Sequence, residues 1–267
     1  MKNVVITGAY GGMGTATVNL LISQGYRVFA LDKKVGDVQE NVVPIEVDIT
    51  NEHSVLGAFN IVKENVDKID AILHFAGMYM LDSLVEIDDE SFKKIFDVNL
   101  HGAYLINKVF LPLLKDGSKI LITTSELAPL DPLPFTGIYA ITKSALDKYA
   151  YSLKMELQLL NIQVAVLRAG AVETSMIGAS TKALEKFCEK TKIYTCNAKK
   201  FKDIVDRVEA RSIKPIKIAN KCLKILGKRK LKFAYSINRN PLLRMLNFLP
   251  KKTQCKIIKK ILKTSKN

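Results

Sequence analysis

The chain has few cysteines, few histidines and no long apolar run, and each shortage closes off a class of function. Cys188, Cys196, Cys222 and Cys255 show no Cys-x-x-Cys spacing, and His53, His74 and His101 are scattered, so neither a metal-ligand pattern nor a disulfide framework forms. A reducing cytosol and no bound metal are expected. No stretch of about 18 apolar residues occurs, as a membrane-spanning helix would need. Met1 is followed so soon by the run from Val4 to Gly8 that a secretory leader is not expected. Residues 1 to about 210 hold no internal repeat and no Gly/Ser/Pro linker. With 267 residues, 48% of them hydrophobic, the expectation is one large globular α/β domain in the cytoplasm.

A fourth shortage is of acid. Residues 210 to 267 contain 18 Lys and Arg and no Asp or Glu, whereas residues 1 to 209 contain 23 basic and 26 acidic side chains, so the excess of +15 lies in the tail. Such asymmetry points to an anionic partner for that segment. Pro241 and Pro250 suit helix starts. Leu242, Met245, Leu246 and Leu249 form one apolar stripe, and Ile257, Ile258, Ile261 and Leu262 another with lysines opposite. Residues 241–263 therefore read as interfacial helices on an anionic membrane surface, which would make the protein peripheral at the inner face of a membrane. A packed helix pair covering a pocket or a dimer face is the second reading. Nucleic acid is disfavoured, because no aromatics interleave the lysines for base stacking. Residues 1–237 are taken as the main domain and 238–267 as its basic extension.

What the chain does have is a regular alternation. Apolar runs at 3–6, 27–31, 42–47, 69–74, 119–124 and 162–167 are each followed by a longer, usually helix-periodic segment, and the stretch from Lys230 to Ser236 reads as a last strand. Runs of this kind form buried parallel strands with helical crossovers, a doubly wound Rossmann-type α/β sheet. The first turn carries Gly8, Gly12 and Gly14 between a strand and a helix, where backbone N–H groups can meet a pyrophosphate. Asp32 ends the second strand, 18 residues after Gly14. A carboxylate there can accept both ribose hydroxyls of an adenosine and would repel a 2′-phosphate, which favours NAD; Lys33 and Lys34 next door leave NADP possible. Tyr139 and Lys143 are i and i+4 on a helix, so they share a face.

These residues resemble the short-chain dehydrogenase/reductase family over residues 1 to about 235. Thr7, Gly8, Gly12 and Gly14 match T-G-x-x-x-G-x-G, and Tyr139 and Lys143 match Y-x-x-x-K; Asp48, Ala76, Gly77, Asn99 and Ser125 fall in order between them. The resemblance implies about seven strands in the order 3-2-1-4-5-6-7 flanked by helices. It implies hydride exchange between a nicotinamide and an alcohol or ketone, with Tyr139 as acid/base and Ser125 bonding the same substrate oxygen. Lys143 would bring the Tyr139 phenol toward the working range, aided by the positive nicotinamide, and hold the nicotinamide ribose. Asn99 would anchor a relay water. Asp48 would touch the adenine edge, and Val172 and Thr174 would meet the carboxamide. Tyr10, Met13 and Ile49 would complete the cofactor site. Family members usually form homodimers or homotetramers, through helices equivalent to residues 91–115 and 138–160.

Departures from the family pattern are visible too. His74 and Phe75 replace two asparagines, and His74 is read as a packed strand residue. Ser125 lies 14 residues before Tyr139 rather than 13, so the loop between them carries one extra residue or Thr124 shares the role of Ser125. Ala169–Gly170 stands for Pro-Gly. Residues 175–212 occupy the place of the substrate-binding helices, where Phe187, Ile193, Tyr194, Phe201, Ile204 and Val205 either line an apolar mouth or face the core. A small lipophilic alcohol or ketone (or aldehyde) is the expected substrate. A non-catalytic dinucleotide-binding regulator or scaffold of the same fold is the alternative, and sugar-nucleotide epimerisation is disfavoured by the glycine spacing.

Overall fold

Strands buried on both faces show continuous apolar runs, and seven such segments pair into one sheet. The computed structural model describes residues 1–209 and 211–263, with the side chains of all but 175–182, 196 and 207–209. Along the chain come β1 (Lys2–Thr7), α1 (Gly12–Ser23), β2 (Tyr26–Asp32), β3 (Val42–Glu46), α2 (Glu52–Asn65), β4 (Ile69–His74) and α3 (Asp89–Phe96). There follow α4 (Gly102–Phe110), β5 (Leu114–Thr123), α5 (Gly137–Leu157), β6 (Gln163–Ala169), α6 (Ser175–Lys190) and α7 (Thr195–Glu209). The last elements are α8 (Pro215–Leu226), β7 (Ala234–Ile237), α9 (Pro241–Asn247) and α10 (Lys251–Leu262). Every strand pair is parallel, in the order β3-β2-β1-β4-β5-β6-β7. The order reverses at β1, between β2 and β4, and the carboxyl ends there open the crevice where doubly wound sheets take ligands.

Local chemistry sets the helix ends. The Asn51 side chain accepts the Ser54 N–H at 3.0 Å to start α2, and Asp88 accepts that of Ser91 at 2.7 Å to start α3. Between α3 and α4 the helix widens into one π turn, Asp97–His101, the kind of local expansion that often marks a functional site. One apolar layer, around Phe29, Ile72, Ile106, Phe110 and Ile120, is completed by α2, α4 and α5; the other, around Ile6, Leu21, Leu73 and Leu167, by α1 and α8. Each fully buried aliphatic or aromatic side chain of this kind contributes about 1.5–3 kcal/mol.

The last strand starts later than its apolar run. Leu231 N is taken by Gln163 Oε1 at 2.8 Å and Lys232 N by the Tyr235 hydroxyl at 3.0 Å, so pairing with β6 begins only at the Phe233 carbonyl, which accepts the Val166 N–H at 2.7 Å, and the strand itself at Ala234. His74, at the end of β4, is 4% exposed and its Nε2 lies 2.9 Å from Asn107 Oδ1, with burial pushing its pKa down to about 4. It is a neutral packed side chain.

Candidate active site

The β1–α1 turn is shaped by what glycine omits. Gly8 has φ +67°, and a Cβ there would stand 2.5 Å from Ala76 N; a Cβ on Gly14 would stand 2.1 Å from Gly8 O. No other residue fits either position, and the result is a backbone-lined groove at the N-terminus of α1, suited to a pyrophosphate. A cavity of about 260 Å³ runs past Gly8, Gly12, Met13, Gly14, Asp32, Ile49, Ala76, Gly77 and Thr174, and also past Gly11, Lys33, Val47, Phe75 and Val98. At its far end Asp32 accepts the backbone N–H of Tyr10 at 2.9 Å and of Lys33 at 2.8 Å. These residues fit a dinucleotide.

Tyr10 and Asp48, both expected at the cofactor, do not line the groove. Tyr10 packs its ring on Gly36, with its hydroxyl buried beside the Gly36 backbone. The Asp48 carboxylate is engaged elsewhere: it pairs with Lys33 Nζ at 2.8 Å and accepts from the Thr50 hydroxyl at 2.6 Å and backbone N–H at 2.9 Å. Burial alone would raise its pKa, but these bonds outweigh that and hold it at about 2. Lys33 is thereby held by Asp48.

A second cavity, about 210 Å³, adjoins the first and shares Met13, Phe75, Gly77 and Thr174 with it. The first turns of α5 supply Tyr139 and Lys143, and the loop after β5 supplies Ser125. Tyr139 is 8% exposed, with the Tyr79 ring 4.6 Å away and the Lys143 ammonium 5.8 Å from its ring centre. Burial pushes the phenol up to about 12, against a lowering by the Ser125 hydroxyl, and burial pushes Lys143 down to about 8. In the cofactor-free chain desolvation thus outweighs the Ser125 bond, and the phenol stands above its ordinary value. Lys143 Nζ donates to Thr123 O at 3.4 Å.

Asn99 sits in the π turn. Its Nδ2 donates to Met78 O and to Thr142 Oγ1, both at 3.0 Å, and its Oδ1 accepts the Met78 N–H at 2.8 Å. Both amide hydrogens are spent, which leaves one lone pair of Oδ1 for the expected relay water. A Cβ on Gly77 would lie 3.2 Å from Asn99 Oδ1 and 3.3 Å from Lys143 Nζ, so both groups converge on Gly77. Thr124 donates its hydroxyl to Asp147 at 3.2 Å, and Asp147 is paired with Arg168 at 2.7 Å, so of the two neighbours it is Ser125 that engages the phenol. Val172 lies across the cavity, bridged to Ile213.

Residues 2–185 match the family model for short chain dehydrogenase. The chain belongs to this family. As a family member it is an oxidoreductase that works with a nicotinamide dinucleotide. It is 28% identical to the probable short-chain type dehydrogenase/reductase VdlC of Helicobacter pylori, over 87% of each chain. It is 23% identical to a 3-ketodihydrosphingosine reductase of Bacteroides thetaiotaomicron, over 91% of this chain and 89% of that one. A solved short chain dehydrogenase family protein from Francisella tularensis superposes with a TM-score of 0.74 at 26% identity, over 89% of this chain and 97% of that one.

Beyond the family motifs, this dehydrogenase builds its cavity wall from segments that carry no motif. Of the apolar residues in the 175–212 segment, Phe201, Ile204 and Val205 line the cavity, Phe187 and Tyr194 pack on Phe135 behind it, and Ile193 is exposed. Phe135 takes up the long Ser125–Tyr139 loop with a left-handed backbone, φ +64°, which costs roughly 1–2 kcal/mol for a non-glycine and is held by its buried ring. Several wall residues were missed, among them Glu126, Leu127 and Leu243. Glu126 was readable as an acid next to Ser125 in an otherwise apolar stretch. Its Oε2 accepts the Asn240 N–H at 2.5 Å, and burial raises its pKa.

The tail corrects another expectation. Ile258 and Leu262 are not free to enter a bilayer, because they pack with Leu184, Phe187 and Phe201 of α6 and α7. Asn197 Nδ2 donates to Leu262 O at 2.6 Å and Lys200 Nζ to Lys263 O at 2.9 Å, fastening the end of α10. Among the described residues no helix is long and apolar enough to cross a membrane.

Proposed function

We propose that the chain is an NAD-dependent oxidoreductase interconverting a lipophilic secondary alcohol and its ketone, or an alcohol and aldehyde. One observation carries this reading: Ser125, Tyr139 and Lys143 converge where the glycine-lined groove opens into a cavity walled by Phe75, Leu127, Phe201, Ile204, Val205 and Leu243. Asp32 would hold the adenosine ribose, Lys143 and Tyr139 the nicotinamide ribose, and Val172 and Thr174 the carboxamide. When bound, the nicotinamide takes or supplies the hydride. Tyr139 moves the proton of the substrate oxygen, Ser125 donates to that oxygen as its charge changes, and Lys143 passes the proton onward. Asn99 braces the Met78 backbone against Thr142 and positions Lys143. The name of the 3-ketodihydrosphingosine reductase relative supports a lipophilic substrate.

A screen of lipophilic alcohols and ketones, followed at the nicotinamide absorbance, tests this. Turnover is expected with NAD(H) at lower dinucleotide concentration than with NADP(H), because Asp48 holds Lys33 and leaves Asp32 to repel a 2′-phosphate. Asp32→Ala should narrow that preference about tenfold or more, since like charges near a protein surface repel by ~1–4 kcal/mol. Absence of turnover on every substrate, with NADH still bound, would favour the regulator or scaffold instead. Equal affinities in the unmodified chain would hand the pocket to Lys33 or Lys34.

A homodimer or homotetramer is part of the same proposal. Tyr104 on α4 and Ile141, Tyr151 and Met155 on α5 are exposed apolar side chains on the helices the family uses. Light scattering that finds only a monomer would remove it.

A further inference from the structure

Helix α9 has two apolar sides. Leu243 faces inward and lines the substrate cavity, while Leu242, Met245 and Phe248 are 64%, 65% and 83% exposed. The helix is fixed at both ends to the loop that carries Ser125. Asn240 N donates to Glu126 Oε2 at the start, and Asp131 N donates to Asn247 Oδ1 at 3.2 Å at the end. Gln254 then donates to Asp131 Oδ2 at 3.0 Å and Lys251 pairs with Asp131, so α10 is held beside α9. In α10, Lys252, Lys256, Lys259 and Lys260 are exposed. No acidic residue from 210 onward offsets them.

We propose that Leu242, Met245 and Phe248 dip into the interfacial layer of an anionic lipid bilayer while the α10 lysines meet its headgroups, so that substrate enters from the membrane past Leu243. The charge of the segment selects this occupant: three exposed bulky apolar side chains on one helix, followed by a helix with four exposed lysines besides the paired Lys251 and no acid in its sequence, fit a surface that is apolar below and anionic above. The inserting element is α9, not the amphipathic stripe of α10, whose Ile258 and Leu262 are inside the protein. The route of entry rests on the cavity being the substrate site; the docking does not.

The full chain is mixed with vesicles of phosphatidylcholine alone or with added phosphatidylglycerol and sedimented. Binding is expected to the anionic vesicles, about tenfold or more above neutral ones, and to fall as salt rises. Met245→Ser with Phe248→Ser should weaken it about tenfold or more, by removing two inserted side chains. The same variant should keep NADH binding and turnover of a water-soluble alcohol. Lys256→Gln with Lys259→Gln and Lys260→Gln should weaken binding to anionic vesicles by a similar factor or more. No sedimentation, or binding that the serine pair leaves intact, overturns the proposal. So does loss of self-association in the serine pair without vesicle binding, which assigns the face to a second copy. Retention by a DNA duplex in place of vesicles assigns the lysines to nucleic acid. Vesicle binding by a chain that turns over no alcohol or ketone leaves the docking standing and removes the proposed reaction.

Discussion

Tyr139→Phe is expected to lower kcat by about a hundredfold or more, the range that a positioned proton donor supplies, and to leave NADH affinity nearly unchanged. The substitution removes one oxygen and keeps the ring, which is buried against Tyr79. Volume-conserving changes of this kind disturb packing little. With its pKa pushed up to about 12, the phenol of the cofactor-free chain holds its proton throughout the working range, so it is ready to protonate a carbonyl oxygen. The reverse reaction needs the phenolate. Alcohol oxidation by the unmodified protein should therefore rise with pH, aided by a positive charge brought near the phenol, while the residual rate of Tyr139→Phe should be flat. A variant within a factor of ten of the unmodified protein, or one that keeps the pH dependence, would move the acid/base role away from Tyr139. Ser125 is then the first group to test.

Strands were legible because burial on both faces writes an uninterrupted apolar run, and five of the seven start and end within two residues of theirs, while β5 begins five residues before its run. The seventh was blurred by side-chain bonds, one local and one from β6, since the hydroxyl of Tyr235 and the amide of Gln163 occupy N–H groups just before it. Tyr139 and Lys143 were legible because helical spacing alone puts them on one face. The engagement of Asn99 with Met78 was not, because it depends on a π turn that no local pattern announces. In the tail, the apolar period of α10 was visible but not its destination. A helix that packs on a protein and one that lies on a lipid surface show the same stripe. Only contact with α6 and α7 separates Ile258 and Leu262, which are inside, from Ile261, which is 48% exposed. Glu126 and Leu243 join the cavity through the fold rather than through any motif, by way of the Asn240 bond that lays α9 across the mouth.

Lys143→Met should abolish turnover and yet make the protein more stable. The ammonium is 6% exposed, and burial lowers its pKa from the usual 10.5 to about 8. An unfolded chain keeps that proton to about pH 10.4, whereas the folded chain releases it near 8. Between those values the unfolded state binds more protons, so stability rises with pH across this window, and below pH 8 the full cost of the buried cation is present. A shift of this size corresponds to on the order of 3 kcal/mol at neutral pH. A methionine of similar length removes the charge and keeps most of the volume, so Tm should rise by roughly 5–10 °C for a chain of this size. The variant should also lose the rise in stability between pH 8 and 10.5 that the unmodified protein shows. NADH affinity should fall together with kcat, because one ammonium serves both the ribose and the proton path. Thermal unfolding at two pH values and a nicotinamide fluorescence titration measure all of this. A less stable Lys143→Met with an unchanged pH slope would mean that the ammonium is neutralised by a partner in the fold, and retained NADH affinity would remove its part in holding the ribose.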